Sequence, residues 1–225
     1  MADKNVFVFG DIHGLTLWKN VVEDNLSADF VFLGDYLDPY LDIPDKILLD
    51  NLREIIKLKK DRPKNVVLLL GNHDLHYFDN KALNAGRFNY EIAPVAEKLF
   101  MDNRKLFQFA YQNGKTIFTH AGITNDWFIN DFKGDIKKNI AKQLNNPKNS
   151  EQENTLYYAS ENFRGGLNEN GGPFWSDICE IGNDPLKDFI QVVGHNRVEK
   201  IGRMEISGGK IIFCDCLESG NYLKI

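Results

Sequence analysis

Three short apolar runs each stop at a glycine followed at once by Asp or Asn. They are Val6-Phe7-Val8-Phe9 before Gly10-Asp11, Phe30-Val31-Phe32-Leu33 before Gly34-Asp35, and residues 66–70 before Gly71-Asn72. A continuous apolar run of this length is the pattern of a strand covered on both faces, and glycine lets the chain turn sharply off its end. Helical periodicity at about 15 to 24 and 45 to 60 fills the intervals, so the first third reads as β-α-β-α-β. Parallel strands joined by helices deliver their C-terminal loops to one end of a sheet, where ligands bind in open α/β folds.

The second half reads differently. Residues 106–111 and 116–119 flank Asn113-Gly114, a hairpin signal. Residues 189–193, 198–206, 210–214 and 222–225 read as strands of a second sheet, with Gly208-Gly209 as another hairpin turn. The expected fold is α/β, with two packed mixed sheets flanked by helices. A chain of 225 residues suits one domain spanning 1–225. Within it, residues 123 to 188 are polar, helical at first and then rich in Asn and Gly, and read as an insertion or cap-like segment above the site. There is no dividing linker and no repeat at solenoid spacing.

Hydrophobic residues at 43% and charged residues at 26% fit a globular protein. A formal charge of −5 offers no general attraction to nucleic acid or anionic membrane, and the clusters Lys57-Leu58-Lys59-Lys60 and Lys133 with Lys137-Lys138 read as solvated helix faces. No stretch reaches the 18 or so apolar residues of a membrane span, and no signal-peptide core follows Met1. The expectation is a cytoplasmic protein. Cys179, Cys214 and Cys216 are too few for a disulfide framework or a thiolate metal site and read as reduced structural residues.

Five motifs carry chemistry: Gly10-Asp11-Ile12-His13-Gly14, Gly34-Asp35-Tyr36-Leu37-Asp38, Gly71-Asn72-His73-Asp74, Thr119-His120-Ala121-Gly122 and Gly194-His195. They contain every histidine except His76. Carboxylate, imidazole and one amide oxygen suit Mn²⁺, Fe or Zn²⁺ better than Ca²⁺, and the set reads as a site for two divalent ions. Asp11 and His13 alternate on one loop and grip the first ion with Asp35. Asp35 is the natural bridge between ions about 3.5–4 Å apart, and Asn72, His120 and His195 complete the second.

In this order the motifs resemble the calcineurin-like metallophosphoesterases, leaning toward their phosphoprotein phosphatase branch, over residues from about 6 to 216. The resemblance implies a four-layer αββα sandwich and the same division of metal ligands. It also implies that Asp38 hydrogen-bonds His73, the candidate general acid, raising its pKa and fixing its tautomer. Two departures stand out. Many relatives end on Gly-His-x-His, whereas Asn196 and Arg197 follow His195 here, as in phosphoprotein phosphatases, which also lack the last histidine. Those phosphatases continue their second motif with Arg-Gly, whereas this chain has Pro39-Tyr40. The segment 163–166, followed by residues 172–177, resembles the phosphatase stretch between the last two histidine ligands, so Arg164 is the expected phosphate-binding arginine, with Arg197 second and Asn72 assisting. His76 and Asp74 are expected in polar roles beside the turn, outside the site.

The resulting expectation is a phosphoesterase acting on phosphomonoesters, including phosphoserine or phosphothreonine, in which two ions acidify a water that attacks phosphorus while His73 protonates the leaving oxygen. Two alternatives are weighed against it. One is a nucleotide hydrolase acting on dinucleoside polyphosphates or phosphodiesters, with aromatic residues in 157 to 175 stacking a base. The other is a catalytically silent interaction module, which the complete ligand set argues against.

Overall fold

The computed structural model describes residues 4–79, 86–164, 166 and 168–225. Two five-stranded sheets carry the fold. In the first, β1 (Val6–Phe9), β2 (Asp29–Phe32) and β3 (Val66–Leu69) run parallel, linked by α1 (Leu17–Asp24) and α2 (Asp45–Asp61). Their apolar runs are continuous because both faces are covered. Phe7, Phe9, Phe30, Phe32 and Leu68 point toward the helices, while Val8, Val31 and Leu69 point toward the second sheet. On α2, Leu48, Leu49, Leu52, Ile55 and Ile56 form a buried stripe at helical spacing, each side chain contributing roughly 1.5–3 kcal/mol by its burial.

After β3 come α3 (Asn72–Phe78), α4 (Ala93–Asp102) and then β4 (Phe107–Gln108), which extends the first sheet beside β3. The second sheet begins with β5 (Ala110–Asn113) and β6 (Thr116–Thr119), an antiparallel hairpin. The expected single strand over 106–111 is therefore divided between the sheets. The reason lies at Asn145, whose Oδ1 accepts the Phe109 and Ala110 N–H groups at 2.7 and 3.1 Å while its Nδ2 donates to Ala110 O. One side chain satisfies the backbone where it leaves one sheet for the other.

Asn145 directly follows α5 (Ile140–Leu144); α6 (Ser150–Tyr157), α7 (Glu161–Arg164) and α8 (Ile178–Asn183) come next. The second sheet is completed by β7 (Ile190–Val193), β8 (Gly202–Ile206) and β9 (Gly209–Phe213), in the order β5-β6-β7-β9-β8. The β8–β9 turn is Ser207-Gly208, both at positive φ, one residue earlier than the expected Gly208-Gly209. Val8, Val31, Leu33 and Leu69 of the first sheet meet Phe118, Val192 and Ile212 of the second, while Ile181 of α8 packs with Val193, Ile211 and Phe213. Helices thus flank two facing sheets, the expected sandwich.

The final strand corrects the sequence reading. β10 (Leu223–Lys224) belongs to the first sheet, antiparallel to β1. Val6 and Ile225 exchange backbone hydrogen bonds at 2.8 and 3.0 Å, covering an edge that would otherwise stand open. No helix among the described residues is long and apolar enough to cross a membrane.

Candidate metal centre and its surroundings

The loops after β1, β2 and β3 meet at one end of the first sheet, and β6 and β7 deliver His120 and His195 beside them. The fit is close at Gly34 and Gly71. Gly34 has φ +108, and a Cβ there would overlap the Gly71 backbone. Asp74, wholly buried, locks these loops together: Oδ2 accepts the Asp35 and Gly71 N–H groups at 2.7 and 2.8 Å, and Oδ1 that of Tyr36 at 2.9 Å. His13, Asp35, Asp38 and His195 all take positive φ without being glycine, and such backbone conformations cluster at functional sites.

Tautomers show what the donors can accept. His13 Nδ1 lies 2.6 Å from the Leu37 carbonyl, so it carries the proton and leaves a lone pair on Nε2. Burial pushes the His13 pKa down to about 3 and keeps the ring neutral. Nε2 faces Asp35 Oδ2 at 3.6 Å and Asp11 Oδ2 at 3.9 Å. His120 repeats the arrangement: Nδ1 donates to Leu33 O at 2.9 Å, burial pushes its pKa to about 3, and Nε2 faces Asn72 Oδ1 at 2.9 Å and Asp35 Oδ2 at 3.5 Å. Asp35 Oδ2 therefore stands before two imidazole lone pairs. Acceptors directed at acceptors with no proton between them fit a bound cation.

The remaining groups agree. His195 Nδ1 lies 2.9 Å from Asn72 Oδ1, its backbone N–H donates to Asp11 Oδ1 at 2.9 Å, and its buried Nε2 has no hydrogen-bond partner. Burial, reinforced by neighbouring carboxylates, holds Asp11 and Asp35 well above the usual carboxylate range, a repulsion that a divalent cation relieves. The structure brings together all six expected ligands, and the residues present fit a metal centre.

Beside them, Asp38 Oδ2 lies 3.0 Å from His73 Nδ1 and 2.9 Å from His76 Nε2, while Tyr77 donates to Oδ1 at 2.7 Å. Asp11, Asp35 and His120 bring ligand atoms within 4.8 Å of one another, as do Asp38, His73 and His76. The second cluster differs in kind, because both imidazoles already lie against one carboxylate oxygen. Burial alone would raise the Asp38 pKa, but the hydrogen bonds from His73, His76 and Tyr77 prevail and lower it. His73 departs from expectation. Burial lowers its pKa below the usual histidine value despite Asp38, and the Arg87 charge pushes the same way.

Arg164, at the end of α7, donates from Nη2 to Asp177 Oδ2 at 2.9 Å and Asn196 Oδ1 at 2.8 Å, and its Nε is buried without a partner. It is near enough to His195 and His120 to help lower both their pKa values, after burial. Gly165, in the same segment, lies outside the described residues. Arg197 pairs with Glu218 at 2.6 Å. Among the aromatics of 157 to 175, Tyr157 and Phe174 are buried and stack on each other, whereas Trp175 stands edge-on to His195.

Sequence reasoning missed three contributors. His76 lies three residues after His73 on α3, a spacing that puts both on one helix face, so treating the segment as a turn hid it. Asp215, just beyond β9, shares a hydrogen bond with the Asp11 carboxyl; its position past a strand end was the only signal. Arg87 donates to His73 Nε2 at 3.2 Å, and no motif marked it.

A two-sheet α/β sandwich with such a donor set at its strand ends defines the metal-dependent hydrolase class. The chain belongs to the calcineurin-like phosphoesterases, whose family model matches residues 4–214, and is a metal-dependent phosphoester hydrolase. Similar solved structures include a cold-active protein-tyrosine phosphatase of a psychrophilic Shewanella, with 16% identity and a TM-score of 0.56 over 95% of this chain and 71% of that one. Another is a protein serine/threonine phosphatase from Saccharomyces cerevisiae, with 17% identity and a TM-score of 0.53 over 94% of this chain and 67% of that one. At these identities the likeness is one of fold. No curated protein sequence matches the chain significantly.

Proposed function

We propose that the chain hydrolyses phosphomonoesters, including phosphoserine or phosphothreonine in proteins, in the manner of the phosphoprotein phosphatase branch. The observation that carries this reading is the pair of imidazole lone pairs, His13 Nε2 and His120 Nε2, facing the single oxygen Asp35 Oδ2. Asp11, His13 and Asp35 would hold one ion, and Asp35, Asn72, His120 and His195 the other. Two divalent ions, Mn²⁺ by preference, supply Lewis acidity and lower the pKa of water.

The chain's own residues do the rest. His73 Nε2 would hand a proton, taken up from water, to the leaving oxygen, while Asp38, itself held by Tyr77 and His76, fixes Nδ1. Arg164 and Asn72 orient the phosphoryl group from the His195 side. Residues 123 to 188 form an insertion or cap-like segment above the site, within one domain spanning 1–225. A cytoplasmic location suits the three unpaired cysteines.

Turnover of a phosphopeptide, a dinucleoside tetraphosphate and a bis-aryl phosphodiester, compared with Mn²⁺, Zn²⁺ and Fe²⁺, tests the reading. Preference for the tetraphosphate would move the assignment to nucleotide hydrolysis, and no turnover of any of them would discard it. Arg164→Ala is expected to weaken substrate and free phosphate together with metal content unchanged. Unaltered kcat/KM would remove that residue from the site.

A further inference from the structure

Three arginines border the site, and they differ in what neutralises them. Arg164 is paired with Asp177 and Arg197 with Glu218. The partners of Arg87 among the described residues are a backbone carbonyl, an imidazole nitrogen and an aromatic ring. Nε donates to Asp38 O at 3.0 Å, Nη2 donates to His73 Nε2 at 3.2 Å, and the guanidinium lies 3.7 Å from the centroid of Tyr40. None of these carries a full negative charge.

Its segment is firmly placed. Arg87 takes φ +65, Phe88 stacks on Tyr77 at 4.9 Å, and Asn89 N–H donates to Tyr77 Oη at 3.0 Å. Tyr77 also holds Asp38, so the mounting of Arg87 is shared with that of His73. Tyr40, whose ring lies edge-on to His13 at 5.1 Å, directly follows Pro39, which stands where the related phosphatases continue with an arginine. The cation absent from that position is returned from elsewhere in the chain, lying against the tyrosine next to it.

We propose that Arg87 is a phosphate-binding residue, its terminal N–H groups taking non-bridging oxygens of a phosphomonoester dianion and giving up His73 Nε2 as they do so. The inference rests on the phosphomonoesterase reading and adds a residue to it. A planar fork of donors matches two phosphoryl oxygens, and the exchange frees Nε2 from the guanidinium only when a phosphate is present. Tyr40 positions the fork by stacking.

Calorimetric binding of orthophosphate to the metal-loaded protein tests this without turnover. Arg87→Ala is expected to weaken phosphate about 10–100-fold, the usual loss of a charge-assisted hydrogen bond, with metal content and melting temperature retained. Arg87→Lys should recover part of the affinity, since the charge returns without the fork. Tyr40→Ala should lose about 2–5-fold. Arg87→Gln keeps an N–H donor for His73 Nε2 without the charge and serves if the alanine variant folds poorly; a loss like that of alanine supports the role. Wild-type phosphate affinity in Arg87→Ala or Arg87→Gln overturns it. Failure of every phosphoester substrate would sink the activity reading while leaving an Arg87-dependent phosphate affinity standing, so the two failures are distinguishable.

Discussion

Asp74 accepts the backbone N–H of Asp35 at 2.7 Å across 39 residues of sequence. With the Tyr36 and Gly71 N–H groups on the same carboxylate, this contact fixes the loop that presents Asp35 to both halves of the site. Asp74→Ala is expected to cost about 3 kcal/mol or more, because it leaves three backbone donors unsatisfied, and to weaken metal binding. Asp74→Asn keeps the shape but directs an amide N–H₂ at donors, so it should fall between. Urea unfolding of the metal-free protein measures this, and an unchanged midpoint for Asp74→Ala would show the contact to be incidental.

Asp35→Asn should lower metal content more than a substitution at Asp11 or His195, because Asp35 Oδ2 faces one imidazole lone pair from each half of the site, His13 Nε2 and His120 Nε2. Metal content by mass spectrometry, measured beside turnover, checks it. Two retained ions with near wild-type rate would remove the bridge.

His73→Asn should keep the metals and slow an alkyl phosphate or phosphoserine peptide by about 10²–10⁴-fold, with a smaller loss for an activated aryl phosphate whose oxygen leaves without a proton. The slope of log rate against leaving-group pKa is the measurement. An unchanged slope would assign His73 to binding instead.

The thiols give a test independent of catalysis. Cys179 is exposed and Cys214 and Cys216 are buried, with burial pushing Cys216 up to about 11 and Cys214 higher still. A thiol-reactive dye should label one equivalent in the folded protein and three after denaturation. Desolvation and then Asp177 raise the Cys179 pKa as well, so its thiolate fraction and labelling rate should climb as pH rises through neutrality. Two or more fast equivalents in the folded state would contradict the burial of the other two.

The first three strands and the six candidate donors were legible because they sit at the ends of apolar runs, most of them just past a glycine, a signal local in sequence. What escaped was set by distant partners. The break at Phe109 depends on the Asn145 side chain 36 residues away, and the sheet choice of β10 depends on an open edge of β1. Periodicity registers neither. His76 and Arg87 stayed hidden for a related reason: one needs the helix beginning at Asn72, and the other reaches His73 from a loop without a motif. At His73 the Asp38 partner raises the pKa as its motif implies, but burial, which no motif displays, outweighs it.

Asp11 and His195 share a hydrogen bond although 184 positions separate them. Each sheet contributes part of the donor set, so the six donors meet only when both sheets have formed. The contact between Asp11 and His195 needs both sheets in place, so assembly of the centre is expected among the last events of folding. Divalent ions added to a refolding chain should therefore leave the early phases unaffected and slow unfolding, acting as a latch on the finished fold rather than as a seed for it.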